Sequence, residues 1–206
     1  MKRMMNNQYL RIFALGLAMA VSSCSNNDDL GFGEETPTED ANLTGNLTED
    51  RHLDPLVEYK LTGSFIVKSG ATLTIPAGTR IVSETGTDKY IAVEQGGDII
   101  IDGSASNPVV MTSANEQGGD WGGLVICGEA VTTEGVDATA EVGGLIYGGT
   151  DNNDDSGSID YLIINYAGAQ INSDSQYNGL TLYSVGAQTE ITNVAILNGE
   201  DDGVEF

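Results

Sequence analysis

The sequence predicts an all-β domain built as a solenoid, and three observations support this prediction. Apolar residues alternate with polar or small ones in short runs, glycine-rich turns separate the runs, and no helical period occurs. Glycine-started strands recur at Gly70, Gly96 and Gly118, at spacings of 26 and then 22 residues. A period in the twenties is typical of a parallel β-helix, here of about six coils. A β-sandwich is the alternative architecture.

Residues 1–23 are typical of a secretion signal. Three basic residues, no acidic residue and an apolar run at 12–21 precede two serines and Cys24. The run is too short and wrongly flanked for a membrane span. We therefore expect residues 1–23 to be removed from the mature protein.

Residues 21–24, Val-Ser-Ser-Cys, resemble the lipobox of bacterial lipoproteins, which implies lipid attachment at Cys24. Residues 25–29 resemble the acidic tag that directs Bacteroidetes lipoproteins to the outer face of the outer membrane. The resemblance implies a lipid-anchored outer-membrane protein that faces the cell exterior. The alternative is an ordinary cysteine just past a signal-peptide cleavage site.

Residues 24–57 are polar and acidic, with almost no apolar periodicity, which predicts a disordered tether behind the lipidated cysteine. Such a tether has a reach of roughly 30 Å. We therefore expect the β-helix domain to cover residues 58–206.

The charge of the mature chain limits its partners. Residues 24–206 hold five Lys or Arg and all 31 Asp and Glu, a formal charge of −26. Nineteen acidic residues and no basic one lie in 90–206. This surface repels nucleic acid and anionic head groups. Residues 90–206 contain no Lys or Arg that could bind an anionic substrate or act as a catalytic base. The single histidine, His52, excludes a metal site of several imidazoles within one chain.

Alternating apolar pairs mark the predicted strands in chain order. They are Leu73 and Ile75, Ile91 and Val93, Ile99 and Ile101, Val109 and Met111, and Leu180 and Leu182. Two later stretches, 159–168 and 191–199, echo each other and predict two further coils. Cys127 follows the apolar residues 124–126, so we expect a buried and inert thiol.

Several stretches resemble a family of β-helical cell-surface proteins of Bacteroidetes. The matching stretches are distributed over residues 70–206, and the most specific of them is Gly-Asp-Trp-Gly-Gly at 119–123. The resemblance implies a right-handed parallel β-helix on a secreted or surface protein, and it carries over no activity. In relatives, a stretch similar to residues 201–206 is followed by further coils, so we expect this β-helix to be C-terminally incomplete.

Oxygen-bearing side chains are densest in residues 151–157, Asp-Asn-Asn-Asp-Asp-Ser-Gly. Calcium takes about six to eight oxygen ligands, so Asp151, Asn153 and Asp155 are candidate calcium ligands. An EF-hand is excluded because its sixth position lacks glycine and its twelfth lacks glutamate. The alternative is a solvated turn in which these side chains cap the backbone.

Asp201 and Asp202 are the candidate catalytic pair of an alternative function, a polysaccharide lyase or hydrolase. Paired carboxylates act as acid and base when their surroundings separate their pKa values. Neighbouring residues of one strand point to opposite faces, so these two share a site only where the chain turns. We favour a plain turn here and no catalytic residue.

Aromatic residues are concentrated in the second half of the chain and have two interpretations. They are Tyr147, Tyr161, Tyr166, Tyr177, Tyr183 and Trp121. A flat face of such residues stacks on sugar rings, whereas aromatic residues on strands also serve as packing.

Together these features predict a lipid-anchored surface protein that binds a glycan or another extracellular macromolecule, or that has a structural or adhesive role. The sequence predicts no nucleic-acid partner and no cofactor other than calcium. It identifies no ligand-binding residue.

Overall fold

The computed structural model describes residues 40–206, which form β-strands and no helix. The strands are β1 (Asn42–Leu47), β2 (Arg51–His52), β3 (Glu58–Val67), β4 (Thr72–Pro76), β5 (Arg80–Ser83), β6 (Ile91–Val93), β7 (Asp98–Asp102), β8 (Val109–Ser113), β9 (Leu124–Cys127), β10 (Ala138–Thr139), β11 (Ile146–Tyr147), β12 (Gly157–Asn165), β13 (Leu180–Tyr183), β14 (Glu190–Leu197) and β15 (Val204–Glu205). The predicted all-β class is confirmed. In this described part of the chain, no helix is long and apolar enough to cross a membrane. The predicted signal peptide, Cys24 and residues 25–39 of the predicted tether lie outside the described residues.

The strands stack in parallel into the three faces of a right-handed β-helix. Face 1 contains β2, β4, β7 and the first halves of β12 and β14. Face 2 contains the first halves of β1 and β3, then β5, β8 and the second halves of β12 and β14. Face 3 contains the second halves of β1 and β3, then β6, β9, β13 and β15. The β10–β11 hairpin is antiparallel and forms a separate small sheet.

Stacked aliphatic side chains fill the inside of the β-helix. On face 1, Ile75, Ile101, Ile159 and Ile191 occupy one register position on successive strands. The first three are at most 1% exposed. Because side chains alternate along a strand, every second residue of these short runs faces the core. Each fully buried side chain of this size contributes about 1.5–3 kcal/mol to folding.

The predicted start of the folded domain at residue 58 is wrong, because residues 40–57 of the predicted tether contribute to the β-helix. β1 pairs in parallel with β3, and β2 pairs with β4. Leu43 and Leu53 are fully buried, and Leu43 lies beside Leu61 in register. These leucines are separated by polar residues and irregular turns. The few apolar residues before residue 58 therefore do not show the alternation by which a strand is recognised in a sequence.

Two of the three predicted repeat starts are structurally equivalent. Gly70 and Gly96 both have positive φ angles, 80° and 72°, and precede the paired strands β4 and β7. Gly118 instead precedes β9, which lies on face 3. The second predicted spacing, from Gly96 to Gly118, therefore relates two positions that are not equivalent in successive coils. The later echo is confirmed, because Ile159 pairs with Ile191 in the parallel β12–β14 ladder.

Residues 128–149, here called the cover, pack on the outer side of face 3. Ala140, Val142 and Leu145 of the cover belong to one buried apolar cluster with Val125 and Cys127 of β9. These β9 residues point away from the core, since their neighbours in the strand point into it. Face 3 is therefore covered by a second, smaller apolar cluster.

Candidate functional site

A groove of about 630 Å³ lies on the outer side of face 1, and we call it the face-1 groove. Its lining residues are Thr72, Asp98, Ile100, Asp155, Gly157, Ser158, Ala187, Gln188 and Glu190. They come from β4, β7, β12 and β14 and from the turns that precede the last two strands. The groove thus combines three carboxylates with hydroxyl, amide and apolar groups.

Parallel register brings these side chains together from distant parts of the sequence. Thr72 lies beside Asp98, and Ile100 lies beside Ser158. Ser158 in turn lies beside Glu190. Adjacent strands are about 4.8 Å apart, so these outward-pointing side chains form one continuous surface.

The surroundings of Asp98 raise the pKa of its carboxyl. Partial burial is the main cause, and the negative charges of Asp155, Asp154 and Asp50 add to it. Each of these effects favours the neutral form of an acid. The groove is therefore a region of negative potential, which favours cationic groups and hydrogen-bond donors of a ligand.

Asp155 is held at the groove by the turn before β12. Its Oδ1 accepts a 3.0 Å hydrogen bond from the backbone N–H of Gly157. Gly157 has a φ of 108°, and a Cβ on this residue would collide with the carbonyl oxygen of Ile99. Glycine alone fits this conformation and this close backbone approach.

The predicted calcium ligands Asp151, Asn153 and Asp155 lie in and around this same turn, where two of them cap the backbone. The Oδ1 of Asp151 accepts a 2.9 Å hydrogen bond from the N–H of Asn153, and Asp155 caps Gly157 as described above. Such caps are the alternative that the sequence left open. Within residues 40–206, no group of three or more His, Cys, Asp or Glu is arranged to hold a metal ion. Calcium binding at this turn stays a prediction.

Asp201 and Asp202 are exposed in the bend between β14 and β15. The chain does turn here, as the predicted plain turn requires. The carbonyl of Asp202 accepts a 3.1 Å hydrogen bond from the N–H of Gly179, which ties the bend to the start of β13. Neither aspartate lines the face-1 groove.

The motif Gly-Asp-Trp-Gly-Gly, the most specific in the sequence, is structural in this fold. Trp121 is fully buried, and its Nε1 donates a 2.9 Å hydrogen bond to the carbonyl of Asn165. Asp120 is 4% exposed and accepts hydrogen bonds from the Oγ of Ser113 and the N–H of Gln117. The motif therefore secures the chain between faces 2 and 3.

Several of the aromatic residues pack within the protein. Trp121 and Tyr177 are 0% and 3% exposed. The rings of Tyr90 and Tyr177 stack at 5.3 Å, and those of Tyr147 and Tyr183 stack at 4.8 Å, both pairs beneath or beside the cover. For these residues the packing interpretation is supported.

Sequence reasoning missed Asp98 and Glu190 as groove residues. A signal for both was present in the repeats. Aligning the glycine starts at residues 70 and 96 places Thr72 beside Asp98, and aligning the echo at 159 and 191 places Ser158 beside Glu190. What the repeats did not show is that these two pairs lie on the same face.

The stacked coils, the internal aliphatic ladders and the polar groove on one outer face define a right-handed parallel β-helix protein. A sequence model of the pectate-lyase-like β-helix domain family matches residues 45–206, and the chain belongs to that family. No curated protein and no solved structure matches the chain. The predicted parallel β-helix fold is thus confirmed.

Proposed function

We propose that this chain is a lipid-anchored β-helix lipoprotein of the Bacteroidetes outer membrane, facing the cell exterior, and that it binds a glycan in the face-1 groove. The groove is the observation that carries the proposal, because it is concave, holds about 630 Å³ and presents carboxylate, hydroxyl and amide groups around Ile100 and Ala187. Ligand sites are typically clefts of this size with a few placed polar groups. Carboxylate and amide groups also match the hydroxyl groups of sugars as hydrogen-bond partners.

The charge of the groove favours a neutral or basic glycan. Asp98, Asp155 and Glu190 line it, and residues 90–206 contain no Lys or Arg. A uronate or sulfated glycan would bring like charges into this negative potential without a cationic partner. Glycans with amino groups or uncharged hydroxyl groups meet no such penalty.

The anchor part of the proposal rests on the sequence around Cys24, which lies outside the described residues. Replacing Cys24 by alanine removes the sulfur that the lipid would modify. We expect Cys24→Ala to move the protein from the membrane fraction to the soluble fraction and to abolish labelling by a fatty-acid analogue. A variant that stays in the membrane fraction contradicts lipid anchoring at this residue.

Glycan binding is tested with a panel of neutral, amino and acidic glycans. Ser158→Trp fills the centre of the groove from its outer surface, and we expect it to weaken binding by about tenfold or more. The matched control is Asp174→Asn, which changes one exposed carboxylate away from the groove and should bind like wild type. A Ser158→Trp protein that melts and binds like wild type would contradict the groove as the binding site.

Glycoside hydrolysis is a second candidate function, and the raised pKa of Asp98 near the charge of Asp155 favours it. An acid with a raised pKa close to an ionised carboxylate is typical of an acid and base pair. A lyase that needs an Arg or Lys base has no such residue in 90–206.

Product analysis distinguishes the candidates. New reducing ends that disappear in Asp98→Asn and persist in Asp202→Asn would favour hydrolysis in the groove. Loss of activity in Asp202→Asn alone would favour the pair Asp201 and Asp202 instead. Retention of a glycan without any product favours a binding module.

A further inference from the structure

Among residues 40–206, Asn178 and Thr181 beside face 3 are buried, and each has one side-chain oxygen without a hydrogen-bond partner. Asn178 is 5% exposed and its Oδ1 is unpartnered, and Thr181 is 1% exposed and its Oγ1 is unpartnered. Buried polar atoms in folded proteins are almost always paired. A bound ion or an ordered water would supply the partner that these two oxygens lack.

Both residues are neighbours of Glu205, Asn178 through a hydrogen bond and Thr181 through strand register. Thr181 pairs in register with Glu205, and the preceding residues Leu180 and Val204 also pair. Leu180 belongs to the core, so Thr181 and Glu205 both point outward, on strands about 4.8 Å apart. The Nδ2 of Asn178 donates a 2.5 Å hydrogen bond to the Oε2 of Glu205, which places the whole amide, including its free oxygen, at the same carboxylate.

The charges around Glu205 are negative. Burial raises the pKa of the Glu205 carboxyl, and the charge of Glu141, a residue of the cover, raises it further. Both carboxylates also act on Tyr183, whose pKa is raised by burial first and then by Glu205 and Glu141. Because residues 90–206 contain no Lys or Arg, this stretch has no cationic side chain to balance the two carboxylates.

We propose that Glu205, Asn178 and Thr181, beside the charge of Glu141, form a binding site for a divalent cation of the calcium class. They offer a carboxylate, an amide oxygen and a hydroxyl, and Glu141 adds a second negative charge. Calcium takes about six to eight oxygen ligands with flexible geometry and accepts water for the remainder. Transition metals would prefer nitrogen or sulfur ligands, which these four residues lack. A bound cation links strand β13 to strand β15, and its binding does not depend on the proposed glycan site.

Terbium luminescence of the full chain tests this site. Tb³⁺ replaces Ca²⁺ and emits when a neighbouring tyrosine is excited, and Tyr183 interacts with both carboxylates. We expect saturable emission that Ca²⁺ displaces, together with a higher melting temperature in Ca²⁺. Tyr183→Phe should remove most of the emission and keep the stabilisation by Ca²⁺.

Two carboxylate variants then locate the ion. Glu205→Gln should weaken binding of both ions by more than about tenfold, since even outer-shell partners of a metal ligand contribute that much. Asp174→Asn removes an exposed carboxylate that belongs to neither candidate calcium site and serves as the matched control, which should bind like wild type.

The outcomes are decisive in both directions. Unchanged Ca²⁺ affinity in Glu205→Gln, or no saturable binding by wild type, overturns the proposal. Loss of binding in Asp155→Asn but not in Glu205→Gln assigns the ion to the turn before β12 and also overturns it. Should Glu205→Gln fail to fold, Thr181→Val replaces a hydroxyl by a methyl group of similar volume and must weaken Ca²⁺ binding in its place.

Discussion

The indole Nε1 of Trp121 donates a 2.9 Å hydrogen bond to the backbone carbonyl of Asn165, the last residue of β12. The Trp121 backbone adds two contacts to the same coil, a parallel bridge to Ala167 and a 3.1 Å hydrogen bond from the N–H of Ala169 to its carbonyl. One fully buried residue thus connects two successive coils across a corner. We conclude that the motif around Trp121 holds the coils together.

Trp121→Phe should lower the free energy of unfolding by about 1–3 kcal/mol, because the partly buried carbonyl of Asn165 loses its donor. Trp121→Ala should cost about 3–5 kcal/mol because it also leaves a cavity. Urea unfolding followed by circular dichroism measures both. Val131→Ala is the control, since this 60% exposed valine should matter by less than about 0.5 kcal/mol. Equal stability of wild type and Trp121→Phe would refute this role of the indole N–H.

Asp120→Asn should destabilise the protein in a way that depends on pH. Burial, the largest influence, raises the pKa of Asp120, but hydrogen bonds from Ser113, Gln117 and Asn115 outweigh it and hold the pKa below its ordinary 3.8. The ionised carboxylate therefore stabilises the fold above the unfolded pKa. This stabilisation is lost as the pH falls through the lower folded value.

We expect Asp120→Asn to cost about 1.5–3 kcal/mol at pH 7, since hydrogen bonds to charged groups contribute about this much. The difference from wild type should shrink below about pH 4. Urea unfolding at pH 7 and pH 3 measures the change. Asp174→Asn, at an exposed position, should show no difference at either pH. A cost for Asp120→Asn that is equal at both pH values would contradict the assignment.

Gly157→Ala and Gly135→Ala form a matched pair of substitutions at positive φ. At Gly157, with a φ of 108°, an added Cβ would collide with the Ile99 backbone, whereas at Gly135, with a φ of 93°, it would meet nothing within 4 Å. Gly135→Ala should therefore cost about 1–3 kcal/mol from backbone strain alone. Gly157→Ala should cost more than about 4 kcal/mol and weaken ligand binding in the face-1 groove. Thermal unfolding of both variants tests this, and similar costs would mean that the close approach to Ile99 is unimportant.

The thiol of Cys127 should be inert in the native protein. It is fully buried, and burial raises its pKa to about 12, with the charge of Glu94 adding to the effect. Because the thiolate is the reactive form, alkylation at pH 8 should be very slow until denaturant is added. Mass spectrometry of a Cys24→Ala variant, in which Cys127 is the remaining thiol, measures the rate. Rapid alkylation without denaturant would show that the cover opens.

Short-range patterns predicted the strands well because burial of every second residue is a local property. Leu73, Ile75, Ile99 and Ile101 alternate in the sequence and are all at most 1% exposed. The start of the domain was mispredicted because Leu43 is buried through the pairing of β1 with β3, a contact that no local pattern records.

The amino-acid sequence was sufficient for the all-β class, for the inward positions of most strands, for the turns at Gly70 and Gly96, and for the burial of Cys127. Those features follow from alternation and from the backbone freedom of glycine, which act over a few residues. Tertiary structure alone brought the pair Thr72 and Asp98 onto the same face as the pair Ser158 and Glu190, placed Asp98 near Asp155, and made Glu205 the neighbour of Thr181. The physical reason is that the turns between coils differ in length. Interstrand hydrogen bonding and core packing therefore decide which residues of successive coils lie side by side.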